Sequence, residues 1–302
     1  MPGIPSVPPH GNRWFHRRVA IPAALAVAVL TVPAVSPASS APSVPSVSSV
    51  SSAPAPSAVA AQPRHTPKPT VVLVHGAFAD SSGWSGVVAR LRHDGYPVIA
   101  AANPLRGLDS DAAYVSSLLD SIPGPVVLVG HSYGGEVITN AAVGHANVKA
   151  LVYIAAFAPD QGESGLALVG LNPGSQLGEA LVVRPYAVAG GGGADGYVDP
   201  AKFRSVMAAD LRGSDTELLA AQQRPVDLAA LQAPSGVPAW RTIPSWYLVA
   251  GADRAIPAAT EKFMARRAAA HTVVVDNASH LVMLSHPGRV ENLIVQAAKA
   301  TD

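Results

Sequence analysis

A serine hydroxyl is a poor nucleophile at neutral pH unless a neighbouring base takes its proton, and that base works best when a carboxylate orients it. Three segments of the chain offer these parts. "VLVGHSYGGEV" (residues 127–137) sets Ser132 between Gly130 and Gly134 in the pattern G-x-S-x-G, where a β-branched run gives way to a helical one. A strand-to-helix turn there throws the hydroxyl out above a sheet, and only glycines fit so tight a turn. "WYLVAGADRAIP" puts Asp253 just past a later apolar run, and "VVVDNASHLVMLSHP" puts His280 just past the next one. Nucleophile, acid and base are therefore read as Ser132, Asp253 and His280. Asp160, which follows the run ending at Phe157, competes for the acid position, and the strand-end setting favours Asp253. His286 precedes Pro287 at a helix entry, His271 opens a strand and His145 lies near a helix end, so these three read as structural or exposed.

Acyl transfer also needs donors for the oxyanion of its tetrahedral intermediate. One is the backbone N–H after the nucleophile, at Tyr133. The other comes from "HGAF", where Ala77 is the first choice and Phe78 the next. His75, in the H-G turn of that segment, reads as a residue that holds the loop rather than as a base.

These residues need a scaffold, and the hydrophobic pattern supplies one. "TVVLVHG" opens the ordered part at Thr70, and "SGWSGVVARLRHDG" has helical spacing ended by Gly95. "PVIAAANP", "GPVVLVG" and "VKALVYIAAF" read as strands, with helices at 109–121 and 133–144 between them. Strands apolar on both faces, alternating with helices, imply a mostly parallel sheet covered on both sides. The alternation stops at about 160–243, where "PAKFRSVMAADLR" and "SDTELLAAQQ" read as helices and "GGGG" at 190–193 as a surface turn. No strand leads into that glycine run and no Lys-Ser/Thr follows it, so it is no phosphate loop. Alternation resumes with "PSWYLVAGAD", a helix over about 258–270, "HTVVVDN" and a closing helix after Pro287. The interruption therefore reads as a helical cap inserted over one end of the sheet.

Composition narrows the function. The 302 residues are 49% hydrophobic and 14% charged, enough apolar material for a large core, with a net charge of +1 and no basic runs that would track a phosphate backbone. Nucleic acid is therefore not an expected partner. The absence of cysteine excludes a disulfide framework, a thiolate nucleophile and a lipoprotein anchor. Residues 1–61 hold Arg13, Arg17 and Arg18 and no acid, leaving 18 basic and 20 acidic side chains beyond them. A basic segment, an apolar run broken by Pro22 and Pro33, and small residues after it follow the pattern of a secretory signal. We assign residues 1–41 to that signal, with cleavage as late as 61, since residues 39–41 and 58–60 both supply small side chains. The run is too short and broken for a stable membrane anchor. Arg17 and Arg18 raise a twin-arginine route, but the surrounding motif is poor. Residues 42–69, rich in Ser, Pro and Ala, read as a disordered linker. The expectation is a protein secreted to the exterior.

Taken together, "HGAFADSSGW", "GHSYGG", "LVAGADRAIP" and "SHLVMLSHP" resemble the α/β-hydrolase superfamily. Within it they resemble the branch of methylsalicylate-type esterases, hydroxynitrile lyases and pyrethroid-hydrolysing carboxylesterases. The resemblance runs from Thr70 to the C-terminus and implies an α/β-hydrolase fold over 70–302. It also implies a Ser132, Asp253 and His280 triad, oxyanion donors at Ala77 and Tyr133, and a reaction needing no metal or organic cofactor. The lyases of this branch carry a threonine and a lysine where this chain has Gly76 and Leu281, so hydrolysis of a small apolar ester is the implied activity. Lactone opening, perhydrolysis and C–C cleavage on the same site remain alternatives, as does a non-catalytic ligand-binding module. Leu166, Leu168, Val169, Phe203, Met207, Leu218 and Leu219 either line an apolar pocket or pack the cap onto the sheet. Trp84, Trp240 and Trp246 read as packing residues.

Overall fold

Apolar runs separated by helical segments fold here as the alternation requires. The computed structural model describes residues 67–188 and 191–301. The signal segment, and the linker up to residue 66, lie outside the described residues. Pro69 is buried, and Lys68 stands over the Tyr96 ring with its Nζ 4.4 Å from the centroid.

The first half of the chain runs β1 (Thr70–Val74), α1 (Ser85–His93), β2 (Val98–Ala101), α2 (Leu108–Asp120), β3 (Val126–Ser132), α3 (Tyr133–Ala141) and β4 (Val148–Ala156). A second layer interrupts it: α4 (Gly165–Val169), α5 (Leu177–Ala180), β5 (Leu181–Val188), β6 (Gly191–Val198), α6 (Pro200–Met207), α7 (Gly213–Gln222), β7 (Val226–Asp227) and α8 (Leu228–Gln232). The core then resumes with β8 (Ser245–Ala250), α9 (Ala258–Arg267), β9 (His271–Val275), α10 (Val282–Ser285) and α11 (Pro287–Ala300).

Six of these strands form one sheet in the order β2-β1-β3-β4-β8-β9, every neighbouring pair parallel. The inner strands are buried almost throughout and the two edge strands only in part, which is why the inner ones read as unbroken apolar runs. Helices cover the faces with single apolar stripes. α11, for example, buries Val290, Leu293, Ile294, Ala297 and Ala298, positions three and four apart.

The strand order places the site. From β1 the chain goes outward to the edge strand β2, then returns past β1 to β3. Such a reversal opens a crevice beyond the carboxyl ends of the two central strands. Val74 pairs with Gly130, so the segment leaving β1 emerges beside the segment leaving β3. Helix α3 presses hard against this corner. A Cβ on Gly130 would lie 2.5 Å from the Gly134 carbonyl oxygen, one on Gly134 would lie 2.4 Å from the Val74 oxygen, and one on Gly135 would lie 2.4 Å from the Phe157 oxygen.

The cap departs from the sequence reading in one respect. The two expected helices are α6 and α7, but β5, β6 and β7 also form a three-stranded antiparallel sheet. Gly191, Gly192 and Gly193 are not in a turn; they pair in β6 with Val188, Ala187 and Tyr186. A Cβ on Gly193 would lie 2.7 Å from both Asp227 Oδ2 and Tyr186 Oη, so glycine here admits close neighbours. At the cap's root Arg267 donates two hydrogen bonds of 2.7 Å to the Glu163 carboxylate and one of 3.0 Å to the Ala158 oxygen. Beside it Trp240 Nε1 donates to the Pro159 oxygen at 2.9 Å, and the backbones of Glu163 and Ser235 are joined at 2.7 Å. Elsewhere Arg106 reaches Asp195 of β6 at 2.7 Å, and the Asp227 N–H donates to the Leu105 oxygen at 2.9 Å.

The approach of α3 to β3 yields a direct test. Gly130→Ala forces a methyl group onto backbone and should lower unfolding free energy by about 2 kcal/mol or more, in the upper range for overpacking. Urea denaturation would measure it, and an unchanged midpoint would mean that α3 is free to move away.

Candidate active site

Ser132 ends β3 and caps α3 with φ 51° and ψ −125°, a left-handed conformation that a non-glycine residue adopts only under constraint. The constraint is the glycine corner just described. Gly76 completes it, since a Cβ there would lie 2.6 Å from the Ser132 Cβ. Phe78, in the facing loop, also has a left-handed φ of 61°. Ala77, Phe78, Ser132, Tyr133 and His280 line one cavity. Tyr133 is the first residue of α3, so its N–H has no acceptor a turn earlier in the helix. Its ring is anchored from behind, the hydroxyl donating to Asp111 Oδ2 at 2.9 Å.

Asp253 and His280 come together although 27 residues separate them. His280 Nδ1 lies 2.6 Å from Asp253 Oδ2, and both side chains are buried. Asp253 Oδ1 accepts from the Ala255 and Ile256 N–H groups at 2.7 and 2.9 Å, so the carboxylate is held on both oxygens. As an anion it accepts only, which fixes the His280 proton on Nδ1 and leaves Nε2 bare.

Two further histidines fix the loops. The Asn103 N–H donates to His75 Nε2 at 3.0 Å, so the ring proton sits on Nδ1 and is donated to the Gly76 oxygen at 3.0 Å. Asn103 Nδ2 returns a bond to the His75 oxygen at 3.0 Å. Burial pushes the His75 pKa down, and the neutral ring ties the turn after β1 to the segment after β2. His131 Nε2 donates to the His280 carbonyl oxygen at 3.0 Å, the two rings being 4.8 Å apart. Burial first, and then the neighbouring His280, hold His131 well below the usual histidine range. It therefore links the Ser132 turn to the His280 loop as a neutral donor. The sequence reading passed over His131, whose place beside the serine was its one signal.

Two buried glutamates were also missed. Glu136, one turn into α3, accepts from the Gly165 N–H at 3.2 Å through Oε1, while Oε2 has no donor among the described residues. Burial raises its pKa well above the usual carboxylate range, which favours the protonated form. Glu261, on the buried face of α9, accepts from the Ala250 N–H at 3.1 Å. Its signal was a charged residue on the same stripe as Met264 and Ala265.

The competing residues are occupied elsewhere. Asp160 pairs with Arg241 at 2.5 Å. His286 Nδ1 meets Ser285 Oγ at 2.8 Å, His271 stacks on Trp246, and His145 Nε2 meets Ser116 Oγ at 2.8 Å. None of the four lines the cavity. Among the apolar cap residues, Leu166, Val169 and Met207 line it, whereas Leu168 and Phe203 are buried as packing and Leu218 is 63% exposed. Trp84 and Trp246 are buried.

The sequence matches the alpha/beta hydrolase family over residues 71–293, and the chain belongs to that family. A protein of Aspergillus novofumigatus described as the alpha/beta hydrolase nvfD is 28% identical over 253 residues, 76% of this chain and 97% of that protein. A carbendazim-hydrolysing esterase of Nocardioides sp. is 34% identical over 111 residues, 32% of this chain and 46% of that protein. The crystal structure of a pyrethroid hydrolase from Sphingobium faniae JZ-2 superposes with a TM-score of 0.63 at 23% identity, covering 77% of this chain and 98% of that one. The fold and the family resemblance drawn from the motifs are thus met.

The raised pKa of Glu136 has a measurable consequence. Its pKa is raised on folding, so the folded protein holds a proton that the unfolded chain releases above the ordinary carboxylate range. The associated stability is complete below that range and declines as pH rises, by at most about 1.4 kcal/mol per pH unit for one proton. Glu136→Gln removes this term, so the stability of the variant relative to wild type should increase from pH 5 to pH 8. Thermal melts at the two pH values read the difference, and a constant offset would mean that Glu136 ionises normally.

Proposed function

We propose that this protein is a secreted serine hydrolase that cleaves carboxylic esters through an acyl-enzyme. The observation that carries the reading is the buried His280–Asp253 pair at 2.6 Å, whose histidine shares a cavity with a serine held at φ 51°. Family membership and the partial identity to an esterase support the ester as substrate.

In this mechanism Ser132 Oγ attacks the ester carbonyl while its proton passes to His280 Nε2. Asp253 keeps the imidazole in the required tautomer and stabilises the imidazolium that forms. The N–H groups of Ala77 and Tyr133 receive the oxyanion, each such donor contributing roughly 3 kcal/mol to the barrier reduction. His280 then gives its proton to the departing alcohol. Water deprotonated by the same histidine attacks the acyl-enzyme, releases the acid and restores Ser132. The chemistry needs no metal or organic cofactor.

Phe157, Leu166, Val169, Leu177, Met207 and Leu231 wall the cavity, which favours a small substrate with an apolar acyl or alcohol group. Secretion rests on the basic, apolar and small-residue pattern of residues 1–41. N-terminal sequencing of protein recovered from the culture medium should find a start between residues 40 and 62; intact chain retained in cells would overturn export.

A chain-length panel of nitrophenyl esters tests the chemistry. Wild-type turnover should fall by roughly three or more orders of magnitude in Ser132→Ala, the scale of losing a triad nucleophile. A fluorophosphonate probe should label wild type and not the variant. Equal turnover in the two proteins would eliminate Ser132 as nucleophile.

A further inference from the structure

The triad is read above as three residues, but a fourth group reaches into it. Asp253 follows β8, and Glu261 lies in the first turn of α9, on its buried face. Glu261 is fully buried. Its Oε2 is spent on the N–H of Ala250, the last residue of β8, at 3.1 Å. Its Oε1 has no donor among the described residues. The Asp253 N–H donates to the oxygen of the same Ala250 at 3.3 Å, so both acids are tied to the last residue of β8, and Asp253 acts on Glu261 through its charge and as a side-chain hydrogen-bond partner. Two carboxylates cannot bond to each other, because both only accept. The contact is a hydrogen bond only if one of the two carries a proton.

The surroundings decide which. Asp253 already receives His280 Nδ1–H on Oδ2 and two backbone N–H groups on Oδ1, a full set of donors for an anion. Glu261 receives a single backbone N–H. The charged and titratable groups around it are Asp253 from the loop after β8, the Tyr247 hydroxyl from β8 itself, and Lys262 next to it on α9. Tyr247 donates to the Ala156 oxygen, and Lys262 is exposed, so neither neutralises a buried charge here. Burial, and then Asp253, hold Glu261 well above the usual carboxylate range.

We propose that Glu261 is a positioning residue of this site: as a neutral carboxylic acid it donates a hydrogen bond from Oε1 to Asp253 and fixes that carboxylate for His280. The proposal rests on the triad reading above. A neutral acid supplies a donor without adding a second negative charge beside Asp253. It also joins the end of β8 to the acid loop, so the orientation of Asp253 is set by the sheet as well as by its own turn. No proton leaves Glu261 during the reaction. If it ionises at high pH, Asp253 loses a donor and gains a repelling neighbour, and the network that holds His280 loosens.

Glutamine is the discriminating substitution, because it retains the shape and a neutral donor but has no proton to lose. Glu261→Gln should keep kcat within about threefold of wild type at neutral pH and should lose less activity than wild type as pH rises. Glu261→Ala should lower kcat roughly 10- to 100-fold with little change in KM, the scale of removing a hydrogen bond to a charged group. Infrared difference spectra give a readout independent of turnover. Wild type minus Glu261→Gln at neutral pH should show the carbonyl band of a protonated carboxylic acid, and Glu136→Gln identifies the second such band. Absence of a band assignable to Glu261, or a Gln variant as impaired as the Ala variant, overturns the proposal. Turnover that survives Ser132→Ala would instead overturn the reading of the site on which this one rests, and the infrared band would still report whether Glu261 holds its proton.

Discussion

For Ser132 to stand at φ 51° the backbone must occupy a conformation that costs a non-glycine residue about 1–3 kcal/mol, and its surroundings must forbid relaxation. Much else in the molecule follows from that demand. Helix α3 has to start immediately at the strand end, so its first turn lies against the carbonyl oxygens of Val74 and Phe157, and three glycines are needed at the contacts. The loop after β1 is forced past the serine at a distance that only Gly76 allows. The β1–β3 register brings that loop to the same height. Position, and the donors that surround it, are thus set by backbone packing before any side chain is chosen for chemistry.

Around this corner the protein buries several titratable groups and treats each according to its neighbours. Asp253 is supplied with donors on both oxygens. Glu136 and Glu261 each have one backbone donor, and burial raises the pKa of both well above the usual carboxylate range. His75 and His131 are neutral, each with a tautomer dictated by the backbone group it meets. The interior therefore contains many polar atoms but little charge. A low-dielectric site of this kind strengthens whatever charge develops in it.

The sheet, its flanking helices and the positions of Ser132, Asp253 and His280 were legible because they depend on local pattern. Unbroken apolar runs mark inner strands, and the residues of interest sit just beyond them. The cap sheet was not legible. Gly191 to Gly193 look like a turn by composition, yet they pair with β5 as a strand, and at Gly193 Tyr186 and Asp227 crowd the space where a side chain would be. His131 and Glu261 escaped for a different reason: their partners are 149 and 11 residues away, and nothing in either segment signals the other. The spacing of Glu261 from Met264 and Ala265 is the one signal of its inward face, and it does not tell what that face meets.

The clasp at the root of the cap has a wider consequence. Arg267 and Trp240, with the Glu163–Ser235 backbone bond, draw the segments around 158–163 and 235–241 together. The cap is therefore a loop whose ends are closed at its base, and its middle meets the core at a few further points: Asp195 with Arg106, the Asp227 N–H with the Leu105 oxygen, and the Met207 oxygen with the Leu281 N–H. Lengthening such a loop adds little entropic penalty, since closure depends only on the logarithm of loop length. Cap residues that make none of these contacts can be exchanged without disturbing the strands that aim the serine, which gives substrate choice room to change while reactivity is kept.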